Sequence, residues 1–140
     1  MLGVFKKFLG SKSDRDIKII QPIADAAIKA YEQIQKLDGD SLRAKTKEFK
    51  EKIAAATKAD EEKVSAIQKQ IAEEPDMDIH EKEKLYQEVD RLKDQIYETT
   101  EEVLNEILPE VFAVIKATAR QFMENDKIEV TASQHDRDLA

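Results

Sequence analysis

Cysteine and tryptophan are absent from the 140 residues, and glycine and proline occur only three times each. Without cysteine there is no disulfide framework, no thiol nucleophile and no thiolate metal site, a composition compatible with a reducing cytoplasm. Gly3, Gly10 and Gly39 are isolated from one another, so no glycine-rich loop can cradle a phosphate. No apolar run approaches the ~20 residues needed to span a bilayer. The apolar part of Met1 to Leu9 is too short and too interrupted by lysine for a signal-peptide core, so any membrane contact is peripheral. Sharp turns are scarce and 38% of the residues are charged, which together predict long helices. The mass of 16.0 kDa suits one domain. The expected fold is all-α, with elongated helices.

What is present is charge, unevenly placed. The net charge of −7 argues against a nucleic-acid surface, which needs a basic face. Lys6, Lys7 and Lys12 give residues 1–12 a charge of +3 with no acid, leaving 20 basic against 30 acidic residues in 13–140. Within the basic start, Val4, Phe5, Phe8 and Leu9 fall at helical spacing while Lys6 and Lys7 lie mostly off that stripe. Two readings fit: the lysines meet anionic headgroups as Phe5, Phe8 and Leu9 insert, or the segment docks on the rest of the protein. Val4, Phe5, Lys6, Lys7, Phe8 and Leu9 are accordingly the candidate membrane-binding residues. Gly10 offers a stop and Ser11 or Ser13 a cap for the next helix, with Asp14 and Asp16 near its positive end.

That helix is expected from about Asp14 to Leu37, with Ile17, Ile20, Ala24, Ala27, Ile28, Tyr31 and Ile34 as its apolar stripe. Pro22 either kinks it or marks a later start. From Ser41 to Glu74 there is neither glycine nor proline. Leu42, Thr46, Phe49, Ile53, Ala56, Asp60, Val64, Ile67 and Ile71 recur there at steps of three or four, a coiled-coil seam with a stutter through Asp60 and a candidate break at Thr57 to Asp60. Pro75 forces a turn, and Asp78 with Glu81 resembles a capping box. Leu85, Val89, Leu92, Ile96, Thr99, Val103 and Ile107 then write a second seam of nearly equal length. The two seams predict an antiparallel hairpin of helices on the order of 45 Å long, its tip near Pro75. Pairing between two chains satisfies the same pattern. Pro109 suits the first turn of a new helix with a face of Phe112, Ile115, Ala119 and Phe122, so the chain bends or restarts there. Lys127 to Ala132 alternates like a short β-strand, an orphan with no partner strand.

Chemistry-bearing clusters are few. Asp76, Asp78, His80 and Glu81 begin like a calcium loop, but its sixth position is Glu81 where glycine is needed and its twelfth is Gln87 where a bidentate glutamate is needed. His135 and Asp136 are adjacent rather than convergent, and no nucleophile and base pair emerges. No catalytic, cofactor-binding or metal-binding residue is therefore assigned. Runs such as Glu81 to Lys84 are solvated helix faces.

Three blocks, in order, resemble the N-terminal region of SecA, the ATPase that drives preprotein translocation in bacteria. The first is the amphipathic start running into Gly10, Ser11, Asp14 and Arg15, similar to that family's G-S-x-x-D-R stretch. The second, LDGDSLRAKTKEFK at Leu37 to Lys50, is similar to L-x-D-x-x-L-x-x-K-T-x-E-F-basic, with Leu42, Lys45, Thr46, Glu48 and Phe49 in place. The third, LPEVFAVIKATAR at Leu108 to Arg120, is similar to I-P-E-A-F-A-V-V-R-E-A-S-K-R, with Val111 in place of alanine and Ala117 in place of glutamate. Roughly fifty residues, Ala55 to Asn105, stand where the family has a short connection, which makes the hairpin an insertion.

The resemblance implies a division into 1–12 as the basic amphipathic helix, 13–54 as N-terminal helices, 55–106 as the inserted hairpin arm, and 107–140 as a helix and strand leading into a first nucleotide-binding domain. It implies docking at an anionic membrane surface and the SecY channel complex, peripheral at the cytoplasmic face of the inner membrane, with homodimer contacts nearby. ATP, Mg and preprotein are implied for the full-length motor, whose D-V-Q and G-x-G-K-T elements are absent from these residues. Gln134 lies outside a D-V-Q context and takes no adenine role. The reading from a different class is a self-contained coiled-coil adaptor or holdase-like protein.

Overall fold

Helix formation meets so few breakers in this chain that turns fall almost only where the sequence compels them. The structure, a computed structural model, describes residues 12–140. The candidate membrane-binding residues Val4 to Leu9 lie outside the described residues. Four helices follow in order: α1 Lys12–Ile34, α2 Gly39–Glu73, α3 Ile79–Glu124 and the short α4 Gln134–Asp138. The fold is all-α among the described residues and falls into two units: 46–107, and 108–140 together with the described residues up to Lys45.

Within the 46–107 unit, α2 and α3 form the expected antiparallel hairpin inside one chain. Pro75 lies in the turn, which Met77 N–H closes on Glu74 O at 3.1 Å. Asp78 caps α3 by accepting from the backbone N–H groups of His80 at 2.9 Å and Glu81 at 3.3 Å. Lys52 pairs with Glu106 at 2.8 Å. Farther along, Asp60 acts electrostatically on Arg91, and Lys63 on Glu88. Partners thus descend α3 as they rise along α2.

The seam is legible in burial. Phe49, Thr57 and Ile71 on α2 meet the level of Val89, Leu92, Val103 and Ile107 on α3, all buried, with Ile53, Val64, Ile67, Leu85, Ile96 and Thr99 half-buried beside them. One expectation shifts. Ala56 is exposed and Thr57 is 3% exposed, so the pair of four-residue steps runs Phe49, Ile53, Thr57 rather than through Asp60. The Thr57 hydroxyl stays satisfied within its helix, donating to Glu61 Oε1 at 2.7 Å or to Ile53 O at 3.3 Å. On α3 the steps Thr99, Val103, Ile107 are also two fours, and they lie opposite the α2 stutter, as the Lys52–Glu106 pair requires. The candidate break at Thr57 to Asp60 is absent; α2 runs through it without interruption.

In the other unit, Ile34, Leu42, Ala113, Val114 and Ala117 are buried, and Lys45 pairs with Glu110 at 2.9 Å. Only the C-terminal part of the α1 stripe packs, because Ile17, Ile20 and Ile28 are 54%, 59% and 60% exposed. The α1 helix begins well before Pro22, which excludes the later start.

Pro109 corrects another expectation, since α3 passes through it instead of restarting. The proline removes the N–H that would serve Asn105 O, but Asn105 is exposed and solvent can take that role. Burial of Ile107 on one side and Ala113 on the other favours continuity. The face expected from Phe112, Ile115, Ala119 and Phe122 is the exposed one; Ala113, Val114 and Ala117 pack instead. The orphan strand at Lys127 to Ala132 is likewise not a strand among the described residues, because no second strand offers it a ladder.

Leu92 is 1% exposed at the centre of the seam. Leu92→Ala is expected to destabilise the chain by about 2–5 kcal/mol, from lost transfer energy plus the cavity. Denaturant unfolding followed by circular dichroism checks this, and a change below ~1 kcal/mol would contradict the packing described.

Candidate functional site

Two groupings of side chains stand out in the unit that joins α1 to the C-terminal residues. The first forms around the start of α2, where Asp38 and Asp40 sit near the positive end of the helix. Asp38 accepts from Ser41 N–H at 2.8 Å as a helix cap, and the Ser41 side chain first, with this N–H second, holds its carboxyl below the ordinary range. Asp40 reaches the C-terminal segment. Its carboxylate accepts from Thr131 N–H at 2.8 Å and from the Thr131 hydroxyl at 2.6 Å, and these bonds lower its pKa.

One turn on, Arg43 shares that face. It donates to Thr131 O at 3.1 Å and to Asp136 Oδ2 at 2.5 Å. Asp136 also accepts from Ser133 N–H at 2.7 Å and from the Ser133 hydroxyl at 2.8 Å, completing a capping box for α4. Arg43 first, and Ser133 second, hold the Asp136 carboxyl well below the usual carboxylate range. Gly39 permits the approach of the segment. A Cβ there would stand 2.8 Å from Val130 Cγ1 and 3.4 Å from Glu129 O, inside ordinary contact. Within residues 126–133, Thr131 thus satisfies its backbone N–H and C=O on the α2 side chains of Asp40 and Arg43, in place of a β-ladder.

The second grouping lies between α1 and α3. Lys116 Nζ sits 4.5 Å from the centroid of the Tyr31 ring, a cation–π contact. Arg120 donates to Gln35 Oε1 at 2.9 Å, to Tyr31 Oη at 3.4 Å and to Glu124 Oε1 at 2.8 Å, and Gln121 donates to Leu37 O at 2.9 Å. Glu124 and then Tyr31 raise the Arg120 pKa further above its already high value, so the guanidinium is a fixed charge. Beside this cluster Ala27, Ile28, Phe112, Ala113, Ile115 and Lys116 line an open apolar groove of about 290 Å³. It offers contact surface and one cation, with no nucleophile and base pair.

Sequence reasoning singled out His135 and Asp136 only to set them aside as a catalytic pair, and the structure gives Asp136 another task, as cap and ion-pair partner. The signal for the cap was present, since Ser133 and Asp136 stand three apart in the S-x-x-D pattern. Nothing in the sequence links Asp136 to Arg43, 93 positions away.

With this geometry in hand, relatives locate the chain. It is 51% identical over 139 residues to the protein translocase subunit SecA of Christiangramia forsetii, a match covering 99% of this chain and 12% of that protein. The SecA of Parabacteroides distasonis is 42% identical over 134 residues, 96% of this chain and 12% of the relative. That of Cytophaga hutchinsonii is 39% identical over 140 residues, 100% of this chain and 12% of the relative. Along nearly its whole length the chain is similar to these SecA subunits. It spans about an eighth of the length of these curated SecA relatives, and the match runs through the hairpin as well as the three blocks, so these relatives carry counterpart residues there. No family model matches the SecA-like chain, and no solved structure matches it.

The Asp136 carboxyl generates a prediction with a definite sign. A depressed carboxyl contributes stability that is fully present above its ordinary pKa of 3.8 and lost as the pH falls through the depressed value. The 126–138 segment should therefore stay latched to α2 from neutral pH down through the ordinary carboxylate range and release only below it. Arg43→Ala should release it at neutral pH, read as faster amide hydrogen exchange at Thr131 and Asp136. Unchanged exchange in that variant would contradict the latch.

Proposed function

We propose that the chain supplies the membrane-docking and helical scaffolding part of a protein translocase subunit of the SecA type. The observation that carries this reading is identity of 39–51% to SecA subunits over 96–100% of the chain. In this reading Lys6 and Lys7 meet anionic headgroups, and Val4, Phe5, Phe8 and Leu9 enter the interface. The contact is peripheral, at the cytoplasmic face of the inner membrane and beside the SecY channel complex. No described helix is long and apolar enough to cross a membrane, which supports peripheral contact.

ATP hydrolysis with Mg²⁺, and the handling of preprotein, are activities of the whole motor in this reading, and none of the residues named here performs them. The groove lined by Ile28, Phe112 and Ile115 suits the scaffolding half of the proposal. It presents apolar side chains at the surface where further parts of a longer subunit would be seated.

Removing residues 1–12 is expected to weaken binding to phosphatidylglycerol-containing vesicles by at least about tenfold, given ~1 kcal/mol per surface lysine. Helicity of the remaining residues should be unchanged. Vesicle co-sedimentation at two salt concentrations is the measurement, and equal binding with and without the segment would sink the docking assignment.

A further inference from the structure

The outer surface of the 46–107 unit carries a pattern that neither the seam nor membrane docking uses. Ile79, Tyr86, Tyr97 and Leu104 are 74%, 50%, 67% and 40% exposed. Their separations of seven, eleven and seven residues are near multiples of 3.6, so the four side chains share one stripe of α3 over about 37 Å. The stripe stands roughly a quarter turn from the buried line of Val89, Leu92, Val103 and Ile107. It therefore flanks the hairpin seam and is not part of it.

Beside the stripe runs a row of acids. Glu83, Asp90 and Glu101 each lie four residues after Ile79, Tyr86 and Tyr97, and Asp94 lies three before Tyr97. The four carboxylates are without a hydrogen bond or ion pair to any described residue, whereas Glu88 and Glu106 on the same helix pair with Arg91 and Lys52. Lys82 and Lys93 border the stripe on its other flank. An exposed apolar row with unpaired negative charge along one edge has a definite complement.

We propose that this face of α3 is a docking surface for a cationic amphipathic helix of another polypeptide. The helix lays an apolar row along Ile79, Tyr86, Tyr97 and Leu104 and sets Lys or Arg against Glu83, Asp90, Asp94 and Glu101. Charge complementarity selects this occupant over two others. An anionic membrane surface would be repelled by the acid row. A second copy of the chain packed antiparallel through the same face would set acid row against acid row, and one packed parallel would offer each row of four acids only Lys82 and Lys93. The surface is distinct from the basic start and from the apolar groove, so its test stands apart from theirs.

The test uses the full chain with a fluorescently labelled Leu/Lys amphipathic peptide as probe, and a Leu/Glu peptide of the same pattern as control. Anisotropy titration should show binding of the Leu/Lys peptide, weakening with salt, and none of the Leu/Glu peptide. Tyr86→Ser with Tyr97→Ser should weaken binding about tenfold, as loss of aromatic anchors does, and Asp90→Lys with Asp94→Lys should do the same. Glu51→Lys with Glu62→Lys, an equal charge change at exposed positions of α2, should leave binding within about twofold. All these positions are at the surface, and circular dichroism checks that each variant keeps its helicity. Unchanged binding in the tyrosine variant overturns the proposal, as does an equal loss in the Glu51 and Glu62 variant, which would mean unspecific attraction to negative charge. A dimer in sedimentation that the tyrosine variant dissolves would also overturn it, assigning the face to a second copy.

Discussion

Everything in the 46–107 unit depends on one line of buried side chains, Phe49, Thr57 and Ile71 against Val89, Leu92, Val103 and Ile107. Two helices alone bury a single seam, and each has most of its circumference in water, which is why so much of the remaining sequence is charged. The intrahelical pairs Lys47–Glu51, Lys58–Glu62 and Lys69–Glu73 line solvent faces and add little beyond helicity. Specificity comes from the seam, with Lys52–Glu106 and the charges of Asp60, Arg91, Lys63 and Glu88 agreeing with its direction.

The hairpin was legible in the sequence because its period is sustained over many turns, and because Pro75 and Asp78 mark the reversal. The position of the stutter was not, since alanine at 56 and threonine at 57 fit a seam about equally well by residue type alone. Burial of Thr57 depends on what faces it. Pro109 misled for a related reason. Missing one hydrogen bond is a local cost, and helical packing on either side of Pro109 outweighs it. The strand at Lys127 to Ala132 misled because alternation describes which way side chains point, and pairing requires a second strand. Asp40 and Arg43 take the Thr131 backbone groups that a neighbouring strand would have taken. That constellation joins residues about ninety positions apart and leaves no local trace.

The candidate sites divide in the same way. The basic amphipathic start is written entirely in residue order, and the family resemblance reads on blocks that order also fixes. The relatives extend it across the hairpin, where residue pattern specified only a shape. The latch on α2, the Tyr31 and Arg120 cluster and the apolar groove each require the fold, because each is assembled from separate elements. What three dimensions added was a set of surfaces.

The facing stutters carry a consequence for alignment. A uniform heptad seam looks alike after a slide of seven residues, so two such helices can settle in several registers with little difference in energy. Here the doubled four-residue step at Phe49, Ile53 and Thr57 stands level with the one at Thr99, Val103 and Ile107. Slipping by a heptad would set each irregular step against a regular one and break the match of the two seams in two places. The irregularity thus works as a vernier, fixing the one alignment in which both helices depart from the heptad together.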